Sequence, residues 1–163
     1  MVRLLTGSRG IIGWGIFTTC VFIGISDIRT RIIPNRYNLL LFLAGILFHI
    51  PDKTALESGF VGAGIYPLPL LLLHGYGSDL FGKEAIGFGD IKLTMNLGLI
   101  LGYRGFWNIY FYYLFSFVSA GIFCAVYLIY ERKKKGSAKK KGIPFAPFLI
   151  LSFMILLSGG AYD

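Results

Sequence analysis

Charge is scarce in this 163-residue chain: 15% of its residues are Asp, Glu, Lys or Arg, where a water-soluble domain carries roughly 25%. Together with a hydrophobic share of 55% and a mean hydropathy of +0.68, that deficit excludes a disordered chain and a soluble nucleic-acid binder. Cysteine is scarcer still. Cys20 and Cys124 both lie inside apolar runs, with no Cys-x-x-Cys spacing and no nearby histidine. This excludes a disulfide-stapled secreted domain and a zinc site, and both thiols read as buried packing residues. The two histidines, His49 and His74, are placed near the outer ends of the second and third apolar runs, at an interface and away from any chemistry. No metal and no cofactor is expected.

Long uncharged intervals are what the chain has in abundance. They run Gly10–Ser26, Tyr37–Pro51, Ser58–Ser78, Leu93–Tyr103, Gly105–Tyr130 and Gly142–Tyr162, with lengths of 17, 15, 21, 11, 26 and 21 residues. About 17 to 25 residues are needed to cross a bilayer as a helix. The fourth interval reaches 19 residues if it begins at Ala85, which takes Asp90 and Lys92 to the membrane surface; the second gains length if Arg36 snorkels. The expected fold class is therefore all-α, a polytopic bundle of six transmembrane helices. Alternate loops then carry 12 and 4 of the 16 basic residues, so both termini face outward by the positive-inside rule. Asp27 and Asp90 fall together on the cytoplasmic side. The basic stretch Arg132–Gly142 reads as a solvated loop leaning on anionic lipid headgroups, and no nucleic-acid partner is expected. Arg3 and Arg9 before an apolar run ending Gly24-Ile25-Ser26 also allow a secretory signal peptide, but the spans that follow favour a retained anchor helix.

Two segments can carry chemistry. The first runs from Asp27 to Pro34-Asn35. Pro34 drives Ile33 toward extended geometry and lacks an N–H, so the chain should turn there and restart a helix at Pro34 or Asn35. Asp27 is then held at a helix end, either as a functional group or as an interfacial carboxylate paired with Arg29 or Arg31. The second is Ala85-Ile-Gly87-Phe88-Gly89-Asp90-Ile-Lys92-Leu. Its alternating glycines remove the side chains that would keep another backbone away; the plainer reading is a flexible loop entering a helix that Asp90 and Lys92 merely flank.

An aspartate before Pro-Asn at the end of the first span, Gly-Phe-Gly-Asp-Ile-Lys at the fourth and Ile143-Pro-Phe-Ala-Pro-Phe-Leu149 opening the last resemble the type IV prepilin peptidase family, membrane aspartic proteases of the Gly-x-Gly-Asp type. The resemblance covers Gly10 to about Leu157. It implies that Asp27 and Asp90 are the catalytic pair, that residues 1–163 form a single membrane peptidase domain, and that type IV prepilin-like proteins are the substrates, cut at the cytoplasmic membrane. The bifunctional members carry a further N-terminal region, often with paired Cys-x-x-Cys, associated with methylation. Only nine residues precede the first span here, so leader cleavage without N-methylation is expected. The presenilin-like group pairs Gly-x-Gly-Asp with a Pro-Ala-Leu motif that this chain lacks.

The chemistry fits two carboxylates. Amide hydrolysis without a metal requires water to lose a proton as it attacks and the carbonyl oxygen or leaving nitrogen to gain one. Two negative charges about 4 to 5 Å apart repel by roughly 3 to 4 kcal/mol at an effective dielectric near 20. One member of such a pair keeps a proton and serves as acid while the other serves as base. Gly87, Phe88, Gly89 and Lys92 are expected to bind substrate, with the scissile junction lying extended over the glycines; Lys92 alternatively snorkels to phosphate. The Pro144–Pro147 segment is expected to support a helix start. A small ion or proton transporter using two membrane aspartates, or a non-catalytic scaffold of a secretion machine, are the competing function classes.

Overall fold

The computed structural model describes residues 10–81, 86–133 and 144–158. Within them the chain forms seven helices: α1 Gly10–Thr30, α2 Asn35–His49, α3 Lys53–Ile65, α4 Leu68–Phe81, α5 Phe88–Leu101, α6 Phe106–Lys133 and α7 Ala146–Ser158. No strand occurs among the described residues, and the all-α expectation holds. Three stretches are long and apolar enough to cross a membrane, Gly10–Thr30, Lys53–Gly77 and Phe106–Tyr130. The others are shorter: α5 has 14 residues, about 21 Å at 1.5 Å per residue.

Each uncharged interval contains helix, but the third is not one uninterrupted rod. It begins earlier than its first uncharged residue, because the Asp52 side chain caps the helix by accepting from the Thr54 and Ala55 N–H groups at 3.1 and 3.3 Å. A cap of this kind stabilises by about 1 kcal/mol. The rod breaks at Tyr66-Pro67, where proline lacks the N–H that would continue the ladder. The Tyr113 hydroxyl on α6 donates to the Tyr66 carbonyl at that break.

At the centre lies α5, buried from Ile91 through Leu101 along most of its length. It packs against α2, α3, α4 and α7. Its crossing with α3 is made by glycine: a Cβ added at Gly98 would sit 2.7 Å from the Gly62 carbonyl oxygen and 2.8 Å from Tyr66 Cβ, and one at Gly59 would sit 2.8 Å from the Leu99 carbonyl oxygen. Backbone therefore meets backbone, and close dispersion contact holds the pair where apolar surface burial contributes little in lipid. The outward faces are apolar, Phe106 and Trp107 being about 70% exposed, as suits a lipid-facing surface.

One residue reading needs correction. Cys20 is fully buried, but Cys124 is only half-buried, because α6 turns most of its surface outward. His49, at the end of α2, is buried, with Nε2 3.1 Å from the Ile100 carbonyl oxygen, near the end of α5 where carbonyls lose their intrahelical partners.

Candidate active site

The buried face of α1 carries Gly13, Ile16, Cys20, Ile23 and Asp27, a spacing of three and four residues that forms one helical stripe. Asp27 thus continues the core stripe by one turn, and the residue is only 6% exposed. The helix stops just beyond it. Arg31 donates its N–H to the Asp27 carbonyl at 2.9 Å and takes a left-handed conformation with φ 56°, which ends a helix at a cost of roughly 1 kcal/mol for a non-glycine residue. The chain then runs to Pro34, extended at φ −64° and ψ 130°, and α2 starts at Asn35. The expected turn and restart are both present.

Asp90 sits in the first turn of α5. Gly87 is the extended residue before that helix, at φ −67° and ψ 138°, and its carbonyl accepts the Asp90 N–H at 3.0 Å. A carboxylate in a first turn is favoured by the helix dipole. Asp90 Oδ1 is buried and has no hydrogen-bond partner among the described residues, which is costly for an ionised oxygen and is relieved by a proton or a donor.

The two motifs meet. Asp90 lies within the electrostatic field of Asp27. Gly89 lies against the Asp27–Asn35 segment, where an added Cβ would come 3.3 Å from Ile33 Cβ, so the missing side chain lets the start of α5 close on that segment. Lys92 Nζ donates to Asn35 Oδ1 at 3.1 Å and stands 5.3 Å from the Phe88 ring centroid. Of the four residues expected to bind substrate, Gly89 and Lys92 thus join the motifs to each other. Phe88 and Gly87 remain exposed beside them.

The third segment contributes more than a helix start. The first N–H of α7, from Ala146, donates to Asp27 Oδ2 at 3.0 Å. That amide has no partner within its own helix, and a helix N-terminus favours an anion. Asp27 takes this main-chain donor, while Arg31 acts on it electrostatically. Sequence reasoning missed the contact, although Pro147 in the first turn of α7 signalled an end with free amides.

His74 also departs from its expected place. Its Nδ1 lies 2.8 Å from the Ile86 carbonyl oxygen and its ring 6.0 Å from that of Phe88, so it stands beside the Gly-x-Gly-Asp segment. The run of α4 beyond the Pro67 break carries it to the same end of the bundle as Asp90.

Comparison with known proteins gives the family. The model of the type IV leader peptidase family matches residues 14–129, which include Asp27 and Asp90. The chain belongs to that family. It is 30% identical over 156 residues to the prepilin leader peptidase/N-methyltransferase of Pectobacterium carotovorum subsp. carotovorum, covering 92% of this chain and 53% of the relative. The enzyme of the same name from Aeromonas hydrophila is 31% identical over 155 residues, with 91% and 51% covered. Leader peptidase HopD of Salmonella typhimurium is 28% identical over 141 residues, covering 83% of this chain and 84% of the relative. The chain thus spans about half the length of the first two and most of the third. No solved structure matches it. As a leader peptidase family member with three long apolar stretches, it is a membrane protein.

Proposed function

We propose that this leader peptidase family member is a multi-pass aspartic endopeptidase of the cytoplasmic membrane, which removes the basic leader from type IV pilin-like precursors at the cytoplasmic face. In this reading the six apolar segments span the bilayer with both termini outside, and Asp27 and Asp90 form the catalytic dyad. What supports it is that the segments bearing these two acids, 63 positions apart in sequence, pack together, Gly89 against Ile33 and Lys92 on Asn35, with Asp90 in the field of Asp27.

The hydrogen bonds support a division of labour. Asp27, accepting a main-chain N–H from the α7 terminus, is the charged member and draws a proton from the attacking water. Asp90, whose Oδ1 is buried without a partner among the described residues, holds the proton and gives it to the departing amide nitrogen as the tetrahedral intermediate collapses. A precursor keeps its basic leader inside and its apolar helix in the bilayer, so its junction lies at the depth of this pair. The junction must leave helical geometry to expose its carbonyl, and an extended strand beside exposed Gly87 and Phe88 meets that need. Leader removal alone, without methylation, is the activity assigned; the Salmonella relative, matched over 84% of its length, is named a leader peptidase only.

Co-expression with a pilin-like precursor tests this. Asp27→Asn and Asp90→Asn should each abolish leader removal, by at least about a hundredfold, with membrane insertion unchanged. Processing at the wild-type rate by either variant refutes the dyad.

A further inference from the structure

We propose that His74 is a positioning residue for the Gly-Phe-Gly-Asp segment, an inference that rests on the leader peptidase reading. The imidazole brackets Gly87. On one side, Nδ1 is 2.8 Å from the Ile86 carbonyl oxygen; on the other, the ring lies 6.0 Å from that of Phe88, inclined at 57°. A carbonyl only accepts, so Nδ1 carries the hydrogen. Gly87 cannot hold itself in place: it has no side chain, and the nearest atom to an added Cβ among the described residues is Asp90 Oδ2 at 3.7 Å. Yet its extended backbone sets the start of α5, through the Asp90 N–H to Gly87 carbonyl bond of 3.0 Å. By fixing the residue before Gly87 and the ring after it, His74 sets the direction in which Asp90 leaves the helix start.

The same ring reaches further. Phe88 lies under the Lys92 ammonium, which donates to Asn35, so a continuous set of contacts leads from α4 across the Gly-x-Gly-Asp segment to the start of α2. His74 is half-buried and touches neither carboxylate through a hydrogen bond of its own, so its part is orientation and not proton transfer. The Nδ1–H is present both in the neutral tautomer that donates there and in the imidazolium. The anchor therefore persists whether the ring is neutral or protonated.

Leader removal by the full chain in membrane vesicles, compared among His74→Ala, His74→Asn, His74→Gln and His74→Phe, tests the inference. Asparagine places its amide nitrogen near the position of Nδ1, glutamine reaches farther, and phenylalanine keeps the ring without a donor. His74→Ala should lower kcat by about tenfold, the worth of one well-made hydrogen bond, with the unfolding midpoint unchanged. His74→Asn should recover activity to within about threefold, while His74→Phe and His74→Gln stay low. Full activity of His74→Phe, or of His74→Ala, overturns the inference. If His74→Ala does not accumulate, the order of Asn over Phe decides alone. The parent chain and Asp90→Asn run alongside: no leader removal by the parent would refute the leader peptidase reading itself and wild-type activity of Asp90→Asn would refute the dyad, whereas an active parent and an inactive Asp90→Asn beside a fully active His74→Phe would refute the role of His74 alone.

Discussion

Replacing Ala146 by proline would remove a single hydrogen atom that matters and little else of the backbone. Ala146 is the first residue of α7, a position where proline is well accepted because that N–H has no intrahelical partner. In this chain the N–H has another partner, Asp27 Oδ2 at 3.0 Å. A hydrogen bond to a charged group contributes about 1.5 to 3 kcal/mol, so its loss should reduce kcat by roughly 10- to 150-fold if Asp27 must be charged and oriented for water attack. Ala146 is fully buried, so the added ring atoms are a second perturbation, and Ala146→Gly, which keeps the N–H, separates donor from bulk. The assay is single-turnover cleavage of a pilin-like precursor in vesicles, with thermal unfolding of each variant in parallel. Ala146→Gly should cleave within about threefold of the parent. A proline variant that folds and cleaves as fast as the glycine variant would refute the reasoning.

The glycine positions separate packing from substrate recognition. Gly98→Ala places a methyl 2.7 Å from the Gly62 carbonyl oxygen and should destabilise by about 1 to 3 kcal/mol, read as a lowered unfolding midpoint in detergent. Gly89→Ala presses on Ile33 at 3.3 Å, so kcat should fall as the start of α5 backs away from the Asp27 segment. Gly87→Ala meets nothing closer than 3.7 Å among the described residues and should fold normally but raise KM, since the methyl would stand where the substrate strand is proposed to lie; an unchanged KM would count against that strand. The dependence of rate on pH should be bell-shaped, because a doubly protonated pair lacks a base and a doubly ionised pair lacks an acid. A rate that climbs to a plateau at high pH would remove the acid role from the dyad.

Charge, not periodicity, made the helices legible. Each run free of charge holds a helix, because a chain in lipid must satisfy its backbone within each segment. The same criterion misplaces boundaries wherever a helix begins on charged residues: Asp52 caps α3, and Lys53 opens it, so the true start precedes the first uncharged position. The motifs at Asp27 and Asp90 were readable because proline and glycine constrain the backbone locally. Ala146 was not readable as a partner of Asp27, since nothing in an alanine announces that its amide meets an acid 119 positions away. His74 was misplaced for a related reason. Its depth was read as though it lay at the outer end of its segment, while α4 extends past Pro67 and brings it within reach of Ile86.

The glycine crossing of α3 and α5 also bears on how a polypeptide gains entry. Side chains can exchange rotamers to let helices slide, but carbonyls set against glycines have no such slack. The far half of the Asp90 helix is consequently held close against α3, and under the proposed function any yielding that admits a precursor would fall to the near end, where Phe88 is exposed.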